Sequence, residues 1–199
     1  MKSKIIVRED LENIPEGAEY PVPAGFMVSD LAREEAQRRG VKLVEVEPGL
    51  IAVGADHGGY RMKEELKGFL ASLGRRFHDF GTHDENPVDY PDVACAVATA
   101  VARGQCGVGI LVDGAGIGSC MAANKVAGVL AALCYDEATA RNSREHNYAN
   151  VLTLGGRMIS VDQMKMIVKA WLETPYGAER HRKRVEKILE IEKRFRGRG

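Results

Sequence analysis

An apolar run that ends on a carboxylate and then breaks into alternating glycines is a place where chemistry can be done. Residues 109–118 read Gly-Ile-Leu-Val-Asp-Gly-Ala-Gly-Ile-Gly, and residues 121–125 follow as Met-Ala-Ala-Asn-Lys. Gly114, Gly116 and Gly118 let the backbone bend sharply after a strand and approach a ligand closely. The amides of Gly114, Ala115, Gly116, Ile117 and Gly118, leading into a helix, would offer N–H groups to a phosphate or an enediolate oxygen. Asp113, at the head of the turn, is a candidate base. Taken alone, the glycine pattern fits equally a dinucleotide turn or a plain tight strand-to-helix connection.

Three more groups change that balance. Gly54-Ala-Asp-His-Gly-Gly59 sets Asp56 and His57 where they would point over a sheet edge; the same pair also occurs as a helix cap beside a surface histidine. Ser143-Arg-Glu-His-Asn-Tyr-Ala-Asn150 carries His146 and Asn147, and a Gly-Gly-Arg turn ends on Arg157. Arg180-His-Arg-Lys-Arg184 opens the last helix. The planar guanidinium fork holds phosphate oxygens bidentately. The alternative for Arg180 and Arg184 is a solvated basic helix face.

Positioning these residues takes strands that end where helices begin. The apolar pattern predicts strands over 50–54, 77–81, 108–112, 129–134 and 151–154. It predicts helices over 60–73, 89–103, 137–145, 161–172 and 180–194, with a short one opening over 120–125. Strands alternating with helices make an α/β fold: a doubly wound, Rossmann-like parallel sheet with helices on both faces. Such sheets bind ligands beyond the carboxyl ends of their strands, here the turns after Val53 and Val112.

Composition narrows the function. Of 199 residues 45% are hydrophobic and 28% charged, an ordinary globular balance. Lys+Arg and Asp+Glu both count 28, so the basic excess of a nucleic-acid binder is missing, and subunits would repel one another little. No apolar run approaches the roughly 20 residues of a membrane span, and no signal peptide is evident, so a cytoplasmic protein is expected. Cys95, Cys106, Cys120 and Cys134 form no C-x-x-C pair, which favours reduced thiols over a disulfide framework or zinc site.

The motifs D-H-G-G, the glycine turn leading to A-A-N-K, R-x-H-N-x-x-N-V-L, G-G-R and R-H-x-x-R-V stand in the order seen in the ribose-5-phosphate isomerase B family, which includes the galactose-6-phosphate isomerase subunits. The resemblance covers about residues 50–195. It implies an aldose–ketose isomerase of a small phosphorylated sugar, needing no cofactor and no metal, that works as a homodimer or dimer of dimers with shared sites. By the same resemblance, Asp56 contacts the sugar and His57 is a phosphate or substrate ligand. Tyr90 lines the site, His146 assists ring opening and Asn147 binds a sugar hydroxyl. Arg157, Arg180 and Arg184 bind the phosphate, the last two from the neighbouring subunit.

This chain departs from the family at the base. Many members carry a cysteine where Asp113 stands, and others a glutamate at the position of Ser119. A positioned carboxylate can perform enolisation, so Asp113 is the leading base; a base at Cys120, another phosphosugar substrate, or a binding protein without catalysis are the alternatives. Ala115 replaces a hydroxyl-bearing residue.

Residues 1–49 form an N-terminal extension to an isomerase domain at 50–199. The extension is charged and rich in proline and glycine, with a short helix ending at Gly40, capped by Ser29 or Asp30, and an apolar face of Leu31, Ala32 and Ala36. So thin a face is marginal alone and should dock on something. Its pattern P-x-G-x-x-x-x-x-L-A-R is similar to short segments of bacterial microcompartment enzymes, which implies a shell or cargo partner.

Overall fold

A computed structural model describes residues 5–12, 14–23, 27–46 and 49–195. The extension begins with β1 (Ile5–Ile6), a 3-10 turn (Arg8–Leu11), β2 (Glu19–Pro23), β3 (Met27–Val28), α1 (Asp30–Arg38) and β4 (Lys42–Val46). β1 pairs with β3 and β2 with β4, both in parallel. Ser29 caps α1, its Oγ accepting the Ala32 N–H at 3.3 Å. Ala32 and Ala36 pack with Ile6, Leu11, Val22 and Val41 in an apolar cluster of their own. Leu31, expected on that face, is 61% exposed. One residue before Ala32 is a 100° turn of the helix, enough to carry Leu31 off the buried side. Three of the four strands carry little strand signal, since β1 and β3 are two residues long and β2 holds Pro21 and Pro23; β4, Lys-Leu-Val-Glu-Val, is strand-like and was not expected. Ala24, Gly25 and Phe26, within the microcompartment-like pattern, and Pro48 at the composition boundary lie outside the described residues.

The rest of the chain alternates as expected: β5 (Ile51–Ala55), α2 (Tyr60–Ser72), β6 (Phe77–Asp79), α3 (Tyr90–Ala102), β7 (Val108–Asp113), α4 (Ile117–Ala123), β8 (Ala131–Leu133), α5 (Glu137–Glu145), β9 (Val151–Gly155), α6 (Val161–Glu173) and α7 (Glu179–Phe195). The five strands form one parallel sheet in the order β6-β5-β7-β9-β8. β6 and β8, each paired on one side only, are shorter than the apolar pattern suggested. α4 starts at Ile117, three residues earlier than expected, because Gly116 takes φ +80° and turns the chain into the helix inside the glycine run.

The β5 residues alternate between two cores. Ile51, Val53 and Ala55 face α2 and α6 through Leu66, Leu70, Ile167 and Trp171. Ala52 faces α3 through Ala94, Val97 and Ala98. α3 seats close to the sheet because Gly54 and Gly109 have no side chain: a Cβ on either would come within 2.8 Å of Val97. After β5 the chain crosses to β6 on one side, and it returns to β7 on the other. The carboxyl ends of β5 and β7 therefore flank a topological switch point, the crevice where open α/β sheets bind ligands.

Candidate active site at the sheet switch point

Three turns meet at this crevice: those after β5, β7 and β9. A Cβ on Gly58 would lie 3.4 Å from the Gly114 backbone, and one on Gly59 would overlap the Val112 carbonyl. Gly156 N–H donates to the Asp113 carbonyl at 2.7 Å and Arg157 N–H to the Gly114 carbonyl at 3.0 Å. The Arg157 side chain lies along Gly114. Tyr90, the first residue of α3, lays its ring against Gly118, where a Cβ would come within 2.6 Å of it. Asp56, His57, Tyr90, the 113–118 turn and Arg157 are thus brought together.

Asp113 is 5% exposed, and its carboxylate organises the turn that follows it. Oδ1 accepts the Ala115 N–H at 2.9 Å and the Gly116 N–H; Oδ2 accepts the Ser119 N–H at 2.8 Å. Two of the amides expected to face a substrate are therefore donated to Asp113 itself. Ile117 and Gly118, in the first turn of α4, have N–H groups with no intrahelical acceptor. Asp56 plays a similar local part, its Oδ1 accepting the Gly59 N–H at 2.8 Å where α2 begins. His57 is exposed, and its Nδ1 accepts the Val88 N–H at 3.4 Å. Cys120 points away from the turn, its Sγ 3.5 Å from the Ala131 carbonyl on β8.

Four expected residues stand elsewhere in the protomer. Asp113 pairs with Gly155 at the carboxyl end of β9. His146 and Asn147 precede the amino end of β9, at the close of α5. Five strand residues span roughly 16 Å, so these groups lie on opposite edges of the sheet. His146 stacks on His181 of α7, ring centroids 4.2 Å apart and planes within 9°. Arg180 Nε donates to His181 Nε2 at 3.2 Å. Arg180 and Arg184 are exposed.

The structure also brings forward residues to which the sequence reading gave no role. His181 is 4% exposed, and its Nδ1 has no hydrogen-bond partner. Burial, then the positive charges of His146, Arg180 and Arg184, hold its pKa below the usual histidine value. Its signal in the sequence was its place in the R-H-x-x-R-V motif. Tyr135, after β8, donates its hydroxyl to the Ala115 carbonyl at 2.6 Å and braces the glycine turn from the α5 side; a lone tyrosine after a strand gives no warning of that. Lys63 on α2 is fully buried against Asp79. Burial pushes the Asp79 carboxyl up, but hydrogen bonds from Lys63, Lys67 and the Gly81 N–H outweigh it and hold its pKa below the ordinary value.

A doubly wound sheet with a glycine turn, a carboxylate and Arg157 at its switch point is the architecture of an α/β protein that takes a small ligand at its strand ends. Residues 51–188 match the family described as ribose/galactose isomerase. The chain is 44% identical over 144 residues to ribose-5-phosphate isomerase B of Escherichia coli, covering 72% of this chain and 97% of the relative. It is 39% identical over 140 residues to D-erythrulose-4-phosphate isomerase of Pectobacterium atrosepticum, covering 69% and 91%. The solved ribose-5-phosphate isomerase B of Clostridium thermocellum superposes with a TM-score of 0.73 at 48% identity, over 73% of this chain and 99% of that one. The chain belongs to the ribose/galactose isomerase family, and it is an enzyme of the sugar-phosphate aldose–ketose isomerase class. Residues before 51 lie outside the family match. Among the described residues, no helix is long and apolar enough to cross a membrane.

Proposed function

We propose that the chain interconverts ribose 5-phosphate and ribulose 5-phosphate through a cis-enediolate, without a metal or cofactor. The observation that carries the reading is the gathering of Asp56, His57, Tyr90, Asp113 and Arg157 around one glycine turn at the switch point, in a chain 44% identical to a ribose-5-phosphate isomerase B. Asp56 and His146 assist opening of the furanose. The Asp113 carboxylate, at Oδ2 with one N–H already bound, takes the proton from C2 and returns it to C1 while the O2 proton moves to O1. The amides of Ile117 and Gly118 hold the oxygen on which charge develops. His57, Arg157, Arg180 and Arg184 hold the phosphate. Because His146 and Arg180 stand on the far edge of their own sheet, a second copy supplies them, and the working unit is a homodimer or a dimer of dimers.

A four-carbon phosphosugar is the second substrate to test, on the strength of the Pectobacterium relative's name. Incubation with each aldose phosphate in deuterated water, followed by NMR, tests the scheme. The expected result is deuterium at ketose C1 and aldose C2, unaffected by a chelator. Binding without exchange for every sugar tried would make the chain a phosphosugar-binding protein. Residues 1–49 act as a docking unit for a microcompartment shell or cargo protein in the cytoplasm; that described residues of this stretch, Ile6, Leu11, Val22, Ala32, Ala36 and Val41, form an apolar cluster of their own supports a role separate from turnover.

A further inference from the structure

Lys63 takes no part in the proposed chemistry, yet its ammonium is sealed from solvent and fully committed. Its three N–H bonds meet Asp79 Oδ1, Asp79 Oδ2 and the Thr82 carbonyl, each at 2.7 Å, with Glu64 Oε1 a more distant fourth oxygen at 3.3 Å. Asp79 also accepts the Gly81 N–H at 3.0 Å and a bond from Lys67 at 2.8 Å. The peptide units this pair grips embrace one residue of the neighbouring strand end. Ala55 N–H donates to the Gly81 carbonyl and Thr82 N–H to the Ala55 carbonyl, both at 2.7 Å. Ala55 directly precedes Asp56 and His57. Farther along, the same segment delivers the Val88 N–H to His57 Nδ1 and then enters α3 at Tyr90.

A buried ion pair is a poor source of stability, since apolar side chains of like volume often serve as well or better. What an apolar side chain cannot do is donate to the Thr82 carbonyl. That bond ties α2, the end of β6 and the segment leading to Tyr90 into one frame around Ala55. We propose that Lys63, neutralised by Asp79, is a positioning residue: through the Thr82 carbonyl it sets the place of the Asp56–His57 arm in the active site. The inference rests on the reading of Asp56 and His57 as substrate ligands.

Two variants test it. In both, D79N removes the Asp79 charge while its amide oxygen still accepts the Gly81 N–H. K63M/D79N abolishes the donor to Thr82, whereas D79N alone keeps the Lys63 amine within reach of the carbonyl, with Glu64 still beside it at 3.3 Å. Thermal unfolding, kcat and KM on ribose 5-phosphate, and hydrogen exchange at the Thr82 and Val88 amides are measured for each. The expected result is a folded K63M/D79N protein whose kcat/KM falls about 10- to 100-fold, the cost of misplacing a reacting group by around 1 Å. Exchange should quicken at Thr82 and Val88 but not in α6. D79N alone should keep most of the kcat/KM. Unchanged kinetics and exchange in K63M/D79N, or equal damage in the two variants, would overturn the proposal. Should the unaltered chain isomerise no phosphosugar, quickened exchange in K63M/D79N alone would uphold the positioning contact and sink the isomerase reading instead.

Discussion

Replacing Asp113 by asparagine separates two roles that the geometry loads onto one side chain. The carboxylate anchors the turn through the Ala115, Gly116 and Ser119 amides, and in the proposed reaction it also moves the C2 proton. Asparagine keeps one oxygen, which can still accept from Ala115 and Gly116. Its NH2 group, however, would face the Ser119 N–H, donor against donor, at a position 5% exposed. Leaving one buried donor without an acceptor costs about 1–3 kcal/mol. For a chain of this length that lowers Tm by about 2–12 °C. Loss of the base costs a further ~10² to 10⁴ in rate, falling on kcat rather than on substrate affinity. Calorimetry and initial-rate kinetics well below the variant's Tm read the two effects apart. A variant as stable as the parent would refute the anchoring argument. A variant that is less stable but turns over normally when folded would leave Asp113 as an anchor and send the base elsewhere. Asp113→Cys should lose stability too, because sulfur is a weak acceptor. It should keep partial activity with a pH profile moved upward, since a free thiol ionises near about 8.5.

Gly118→Ala should cut turnover sharply with a small change in Tm, because the new methyl meets the Tyr90 ring at 2.6 Å in a part of the site open to solvent; kinetics equal to the parent's would mean that Tyr90 moves freely. His181, whose pKa is held down by burial first and neighbouring charge second, favours the neutral form in the folded chain. The unfolded chain therefore binds the extra proton more readily, and stability, complete above the unfolded value of about 6.5, should fall as pH drops below it. His181→Phe should flatten that limb of a Tm-against-pH curve, and an unaltered curve would place the titration elsewhere. Equal mixing of Asp113→Asn and Arg184→Ala chains, with subunit exchange confirmed, should restore about a quarter of the parental activity if sites are shared across a two-fold dimer. No recovery would put the arginines in their own subunit's site or outside any site. A chain beginning at Leu50 should keep its sheet and its turnover, and a collapse of activity would show that the extension builds the site.

The sheet and its helices were legible because their residues obey two simple periods. Met62, Leu66 and Leu70 repeat at helical spacing, and β5 and β7 are short apolar runs bounded by turn residues. The glycine turn was legible for a different reason: Gly116 and Gly118 stand where a side chain would overlap Leu133 or Tyr90, and only such constraints leave so dense a pattern. What the sequence concealed was long-range pairing of polar groups. Nothing in the run around Lys63 says that an ammonium in an amphipathic helix will be sealed beneath a neighbouring loop, since lysines on helices mostly face solvent. In the extension β1 and β3 were hidden by brevity and β2 by its prolines, whereas β4 has a strand-like sequence that the charged surroundings obscured. The inward turn of the Asp113 carboxylate depends on where Ser119 comes to rest, six residues away, and neither residue's identity discloses it.

The separation of the two polar groups has a consequence for how activity must arise. One group, centred on Asp113, sits where β5, β7 and β9 end. The other, His146 with His181, Arg180 and Arg184, sits where β9 begins. No rotamer change spans a strand's length, so one protomer cannot bring both to the same sugar. Either the second group serves another purpose, or a neighbouring copy turned by a two-fold axis lays its amino edge over this carboxyl edge. The second alternative gives His181 Nδ1, buried without a partner beside two exposed arginines, a group to meet across the interface. A phosphate held there from one chain, with its sugar carbon over Asp113 of the other, satisfies both groups at once. On that arrangement turnover is a property of the assembly, and specific activity should fall on dilution at the concentration where the dimer dissociates.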